Sequence, residues 1–186
     1  MKKIIIFILA LVIAISFSSC IVVPTDPQYA HIVSYANWSD DIAIEDGALN
    51  KGVLQNEGGA HLPIFKIETL KELEQFKMQY GDILSMDQGY DEVPSFEEAI
   101  SKAQYDRESF FWEHTLLIVY VEANSGSLRF CVGDVRVNDK YVCVYVDQAN
   151  DPEECTDDLA GWFVLVEVEN DQIKNCSSFD AILSKK

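Results

Sequence analysis

The apolar positions of this chain change their period near residue 114. From residue 69 to that point they recur every three or four residues. After it they alternate or run unbroken. Leu70, Leu73, Phe76 and Tyr80 form one stripe at helical spacing. Thr69 with Glu72 supplies a capping box ahead of it and Gly81 a stop, which predicts a helix over 69–80. Ser95 with Glu98 repeats the box, and Phe96, Ala99 and Ile100 give the inner face of a helix over 95–103. Asp106 opens a third, short helical segment over 106–113. Its Phe110-Phe111-Trp112 run reads either as packing under a sheet or as one wall of a binding groove.

Thr115–Glu122 (TLLIVYVE) is apolar on both faces, the mark of a central strand. Segments 127–137 (SLRFCVGDVRV) and 141–147 (YVCVYVD) alternate on either side of Asn138-Asp139-Lys140 and read as a hairpin. Segment 162–168 (WFVLVEV) is a further strand. Weaker strands are expected at 30–36 and 62–67, with Pro63 fitting the latter's first residues or an edge position. Residues 47–59 read as a glycine-rich loop, 148–158 as an acidic loop, and 171–186 as a polar tail with an apolar patch at Phe179, Ile182 and Leu183. Helices precede the main strands and do not alternate with them. The expected fold is therefore α+β, a single domain over 29–186 with a mainly antiparallel sheet.

The first nineteen residues have a different layout. Lys2 and Lys3 are followed by an unbroken apolar run from Ile4 to Ile15 and a small-residue exit at Ser16, Ser18 and Ser19. This is the order of a secretory signal peptide, and it is shorter than the roughly 20 apolar residues a membrane span needs. Cys20 follows directly, as at a bacterial lipoprotein processing site, although Phe17 stands where Leu is usual. Cys20 is thus the expected lipidation site. Diacyl attachment, with palmitate-type chains, gives a stable membrane anchor where one chain is marginal. Residues 20–28, with Pro24 and Pro27, read as a short stiff tether. The expected location is the outer face of a bacterial cell membrane.

Charge narrows the partners. The chain carries 31 acidic and 14 basic residues, a formal charge of −17, and two of the bases lie in the leader. A nucleic-acid surface must neutralise phosphates, and a lipid-reading patch needs clustered bases, so both are excluded. Beyond Cys20 the cysteines are 131, 143, 155 and 176. A two-residue loop at Asn138-Asp139 pairs Val137 with Lys140 and puts Cys131 and Cys143 on opposite faces. A three-residue loop puts them on one face but four positions out of register, beyond the disulfide limit of about 7 Å between Cα atoms. Both are expected as small core residues. Cys155 and Cys176 lie in polar loops and are the pair that a disulfide could join.

No catalytic motif emerges. His31, His61 and His114 are scattered, and neither HExxH, CxxC, GxSxG, SxxK, a P-loop nor GxGxxG occurs. No cofactor and no metal ligand set is expected. The acids of the 147–158 loop offer hard oxygen ligands without an EF-hand spacing. They leave a calcium- or solute-binding lipoprotein as the alternative function.

Tyr105-Asp106 before Phe110-Phe111, the Ser125-Gly126-Ser127 turn and Trp162 at the opening of the last strand carry a resemblance. Across 105–169 the chain is similar to small clostridial lipoproteins. It distantly resembles the C-terminal domain family named after PrcB, a subunit of a spirochaete surface protease complex. The resemblance implies a non-catalytic accessory subunit. The expected function is therefore non-enzymatic: a membrane-anchored, protein-binding module with an extracytoplasmic protein partner. Trp162 is the candidate partner-facing aromatic, and a strand edge of the 115–168 sheet is a candidate docking site.

Overall fold

A computed structural model describes residues 29–37, 59–138 and 140–184. The leader, Cys20, the tether and Trp38 lie outside the described residues. In chain order the elements are β1 (His31–Asn37), β2 (Gly59–His61), β3 (Ile64–Ile67), α1 (Leu70–Leu84), α2 (Phe96–Ala103), a 3-10 turn (Phe110–Trp112), β4 (His114–Ala123), β5 (Phe130–Val137), β6 (Tyr141–Gln148), β7 (Ala160–Glu169), α3 (Asn170–Ile173) and β8 (Ser178–Ser184). They form an α+β fold with two four-stranded sheets. The first has the order β1-β7-β4-β3 and is antiparallel throughout. The second has the order β2-β8-β6-β5. Its β6–β8 pair is parallel, joined through β7 of the other sheet, because parallel neighbours need a long crossover.

Alternation along β4 and β7 builds both halves of the core. Leu117, Val119, Val121, Trp162, Val164 and Val166 face the second sheet and meet Val142, Val144, Val146, Phe179 and Ala181. Leu116, Ile118, Tyr120, Phe163 and Leu165 point the other way, onto Leu73, Phe76, Tyr80, Phe96 and Ile100 of the helices. The first sheet is thus the middle of three layers. The unbroken apolar runs Leu116–Val121 and Trp162–Val166 are the pattern that such a doubly covered strand requires.

Several sequence expectations are corrected. The first helix runs through Gly81 to Leu84, because Leu84 (fully buried) extends the stripe. It stops at Ser85 in the left-handed region, φ 45°. The segment expected at 62–67 is split by Pro63. The chain there crosses from the second sheet, where the Leu62 amide donates to the Ala181 carbonyl (2.9 Å), to the first, where the Tyr120 amide donates to the Pro63 carbonyl (3.0 Å). The helix expected over 106–113 is only the 3-10 turn. The hairpin pairs Val137 with Val142 and bulges between Val132 and Asp134. Cys131 consequently lies opposite Asp147, and Cys143 lies opposite Arg136. No disulfide joins any two of Cys131, Cys143, Cys155 and Cys176. The polar tail contains strand β8. Its Asp180 is 2% exposed, with Oδ1 taking hydrogen bonds from the His61 ring (3.0 Å) and the Ala181 amide (2.9 Å).

Phe163 is fully buried and meets the rings of Phe76, Phe96 and Tyr120 at 5.0–5.9 Å. Phe163→Ala is expected to lower the unfolding free energy by about 3–5 kcal/mol. Met78→Ala, on the 75% exposed side of α1, should change it by less than about 0.5 kcal/mol. Urea denaturation of the two variants checks the layer assignment.

Candidate binding surface around Trp112

A 3-10 turn has about three residues per turn, so three consecutive side chains leave it in three directions. Phe110-Phe111-Trp112 shows this separation. Phe110 stacks against the rings of Tyr105 (4.6 Å) and His114 (5.3 Å, 17° between planes). Phe111 turns into the core and is 8% exposed. Trp112 takes the third direction and is 75% exposed. The packing reading therefore holds for Phe111, while Trp112 is left on the surface.

Trp112 separates two clefts. The larger, about 610 Å³ and mostly apolar, lies between the start of α1 (Glu68, Thr69, Leu70, Lys71, Glu74) and Glu108, Phe111 and Trp112. The smaller, about 380 Å³, is lined by Trp112, Glu113, His114, Glu169, Asn170 and Asp171. Asn170 fixes the turn to the end of β7. Its amide donates to the Glu113 carbonyl (2.8 Å), its side-chain nitrogen donates to the Phe111 carbonyl (3.2 Å), and its side-chain oxygen accepts from the Thr115 hydroxyl (2.7 Å). His114 Nε2 lies 3.2 Å from Glu167. The Tyr105 hydroxyl also bonds Glu167. Burial first, and then that carboxylate, push the Tyr105 pKa far up, so it stays a neutral donor. The base of the surface is thus held by hydrogen bonds from three sides.

Six carboxylates line the two clefts. Glu68 pairs with Lys66 (2.7 Å), Glu74 with Lys77 (3.4 Å) and Asp171 with Lys174 (3.4 Å). Glu108, Glu113 and Glu169 have no basic side chain within 4.0 Å among the described residues.

Trp162, expected as a partner-facing aromatic, is fully buried. Alternation along β7 puts it on the inner face, with Tyr35 and Tyr90 rings at 5.3 and 6.1 Å and the Arg129 guanidinium 5.1 Å above it. Among the described residues the exposed tryptophan is Trp112. The signal for it was three aromatics in a row on a segment too short for a full helix. The Ser125-Gly126-Ser127 turn is a clamp between loops. Ser125 and Ser127 hydroxyls bond Thr156 (2.9 and 3.1 Å), and the Gly126 amide donates to Asp158 (3.0 Å). A Cβ at Gly126 would meet the Tyr90 hydroxyl at 2.8 Å, which is why glycine stands there. Among the described residues, no three His, Cys, Asp or Glu side chains converge as a metal site. None of the described helices is long and apolar enough to cross a membrane. Compared with protein-family models, curated proteins and solved structures, the chain matches none.

Trp112→Ala should leave stability within about 0.5 kcal/mol of wild type, whereas Phe111→Ala should cost about 3–5 kcal/mol, both read by urea unfolding. Asp158 gives a pH test. Hydrogen bonds from the Thr156 side chain and then the Gly126 amide hold its carboxyl below the ordinary 3.8. A depressed folded-state pKa stabilises above the unfolded value and is lost as pH falls through the folded one. Wild type should therefore be more stable than Asp158→Asn at neutral pH. The gap should close in acid below pH about 4, as followed by thermal unfolding across pH.

Proposed function

We propose that this chain is a non-enzymatic extracytoplasmic lipoprotein, anchored to the outer face of a bacterial membrane through lipid on Cys20. In this reading its α+β domain is an accessory module that binds another extracytoplasmic protein through the Trp112 surface. The observation that carries the binding part is the 75% exposed Trp112 standing between two clefts on a rigidly tied turn. A large aromatic kept in water is an anchor of the kind that dominates protein interfaces. The resemblance of residues 105–169 to the PrcB C-terminal domain family supports the same role, that of a subunit without catalytic residues. The anchor adds effective concentration, because a domain on a short tether meets membrane-face partners as neighbours.

The sheet edge is a weaker candidate than the Trp112 surface. Strand β5, the eight-residue edge of the second sheet, is bulged and carries the Asp134–Arg136 pair (2.9 Å), devices that oppose strand addition.

The test uses the full chain in its own cells. Labelling with an alkynyl palmitate analogue should mark wild type and not Cys20→Ala, which should leave the membrane fraction. A photoreactive residue at 112 should crosslink one recurrent extracytoplasmic protein, and the same residue at Met78 should not. Label on the Cys20→Ala variant would overturn the anchor. Equal crosslinking from 78 and 112 would overturn the surface.

A further inference from the structure

We infer that the Trp112 surface takes a cationic segment: a stretch of partner protein with Lys or Arg side chains set among apolar ones. The inference rests on the docking role proposed above and names the chemistry of the partner. An indole face open to water attracts a guanidinium or ammonium within about 6 Å of its centroid. The clefts on both sides of that indole are rimmed with carboxylate. Glu108 belongs to the larger cleft, Glu113 and Glu169 to the smaller, and none of the three meets a base among the described residues. The larger cleft is mostly apolar, with Leu70 and Phe111 in its lining. A segment alternating apolar and basic side chains fits this order, the apolar ones in the larger cleft and the basic ones over the indole and at the rim.

Two groups oppose a cation here. Lys71 lines the larger cleft, and the N-terminus of α1 carries about half a positive charge. The helix end is already met from inside the chain. The Glu68 amide donates to Glu72 (2.7 Å), and the Glu72 amide donates to the Thr69 hydroxyl (3.2 Å). Three of the six lining carboxylates are already met by Lys66, Lys77 and Lys174, and the three left, Glu108, Glu113 and Glu169, outweigh Lys71 and the helix end. A second copy of this chain, at −17, and an anionic lipid surface are disfavoured by the same sum. Arg129 above the Trp162 and Tyr90 rings, at 5.1 and 5.6 Å, shows the guanidinium–aromatic contact already in use within this fold.

The test is calorimetric titration of the full chain in neutral detergent with an acetylated hexapeptide alternating Leu and Arg, and with its Leu/Gln twin. The Arg peptide should bind at least about tenfold more tightly than the twin, and raising salt from about 50 to about 500 mM should remove most of that advantage. Trp112→Ala should weaken the Arg peptide about tenfold, as should the triple change Glu108→Gln, Glu113→Gln and Glu169→Gln. Glu153→Gln with Glu154→Gln, in the exposed acidic loop, should leave affinity unchanged. Equal binding of the two peptides, or indifference to the triple change, overturns the inference. If the crosslink from position 112 persists in the triple variant, the docking role survives while the cationic partner is rejected. If Trp112→Ala leaves the Arg peptide's affinity unchanged, or the acidic-loop variant weakens it as much as the triple change does, diffuse charge accounts for binding, and the inference is overturned.

Discussion

The rest of the structure depends on the pairing of β4 with β7. Ten residues of each strand run side by side, from His114 opposite Glu169 to Ala123 opposite Ala160. Nearly every side chain in the pair is buried, one set against the second sheet and the other against the helices. Water reaches neither face, so the ladder's hydrogen bonds are shielded, and their loss would leave buried polar groups without partners. The packing is close enough to constrain the backbone. A Cβ at Gly161 would meet the Tyr120 hydroxyl at 2.6 Å and the Ala36 carbonyl at 3.0 Å, so a glycine lets β1 and β4 close on β7 together.

The same pair positions the Trp112 surface. The 3-10 turn runs straight into β4, and α3 continues straight out of β7, so the two ends meet at one corner of the sheet. Asn170 ties them there through three hydrogen bonds, and Glu167 accepts from one side what His114 and Tyr105 present from the other. A turn held in this way can keep a tryptophan exposed without the chain collapsing over it.

Sequence patterns revealed the parts governed by local chemistry. Both long helices announced themselves by capping boxes: Ser95 and Glu98 form theirs fully, and Thr69 and Glu72 hold the other helix start. Strand β4 was visible as a run apolar on both faces, and β7 as a further strong strand. What stayed hidden depended on contacts distant in sequence. Strand β8 looked polar because Ser178, Asp180 and Ser184 interrupt it, and inside the fold Asp180 is met by the ring of His61, far back in the chain, and by the neighbouring Ala181 amide. The parallel β6–β8 pair could not follow from a hairpin reading. The placement of Trp162 and Trp112 stayed hidden for a related reason. Trp162 sits where alternation turns it inward, and Trp112 sits on a turn whose three-fold geometry a helical reading does not include.

Native-state hydrogen exchange tests the central β4–β7 pair most directly, residue by residue. The amides of Leu116–Val121 and Phe163–Val168 should exchange last, with an opening free energy equal to that of global unfolding and the same dependence on denaturant. The edge strands β2 and β5 should open earlier. Exchange of the β4 and β7 amides before those of β6 and β8 would contradict the account, because the pair would then be a dependent layer and not the element on which the others rest.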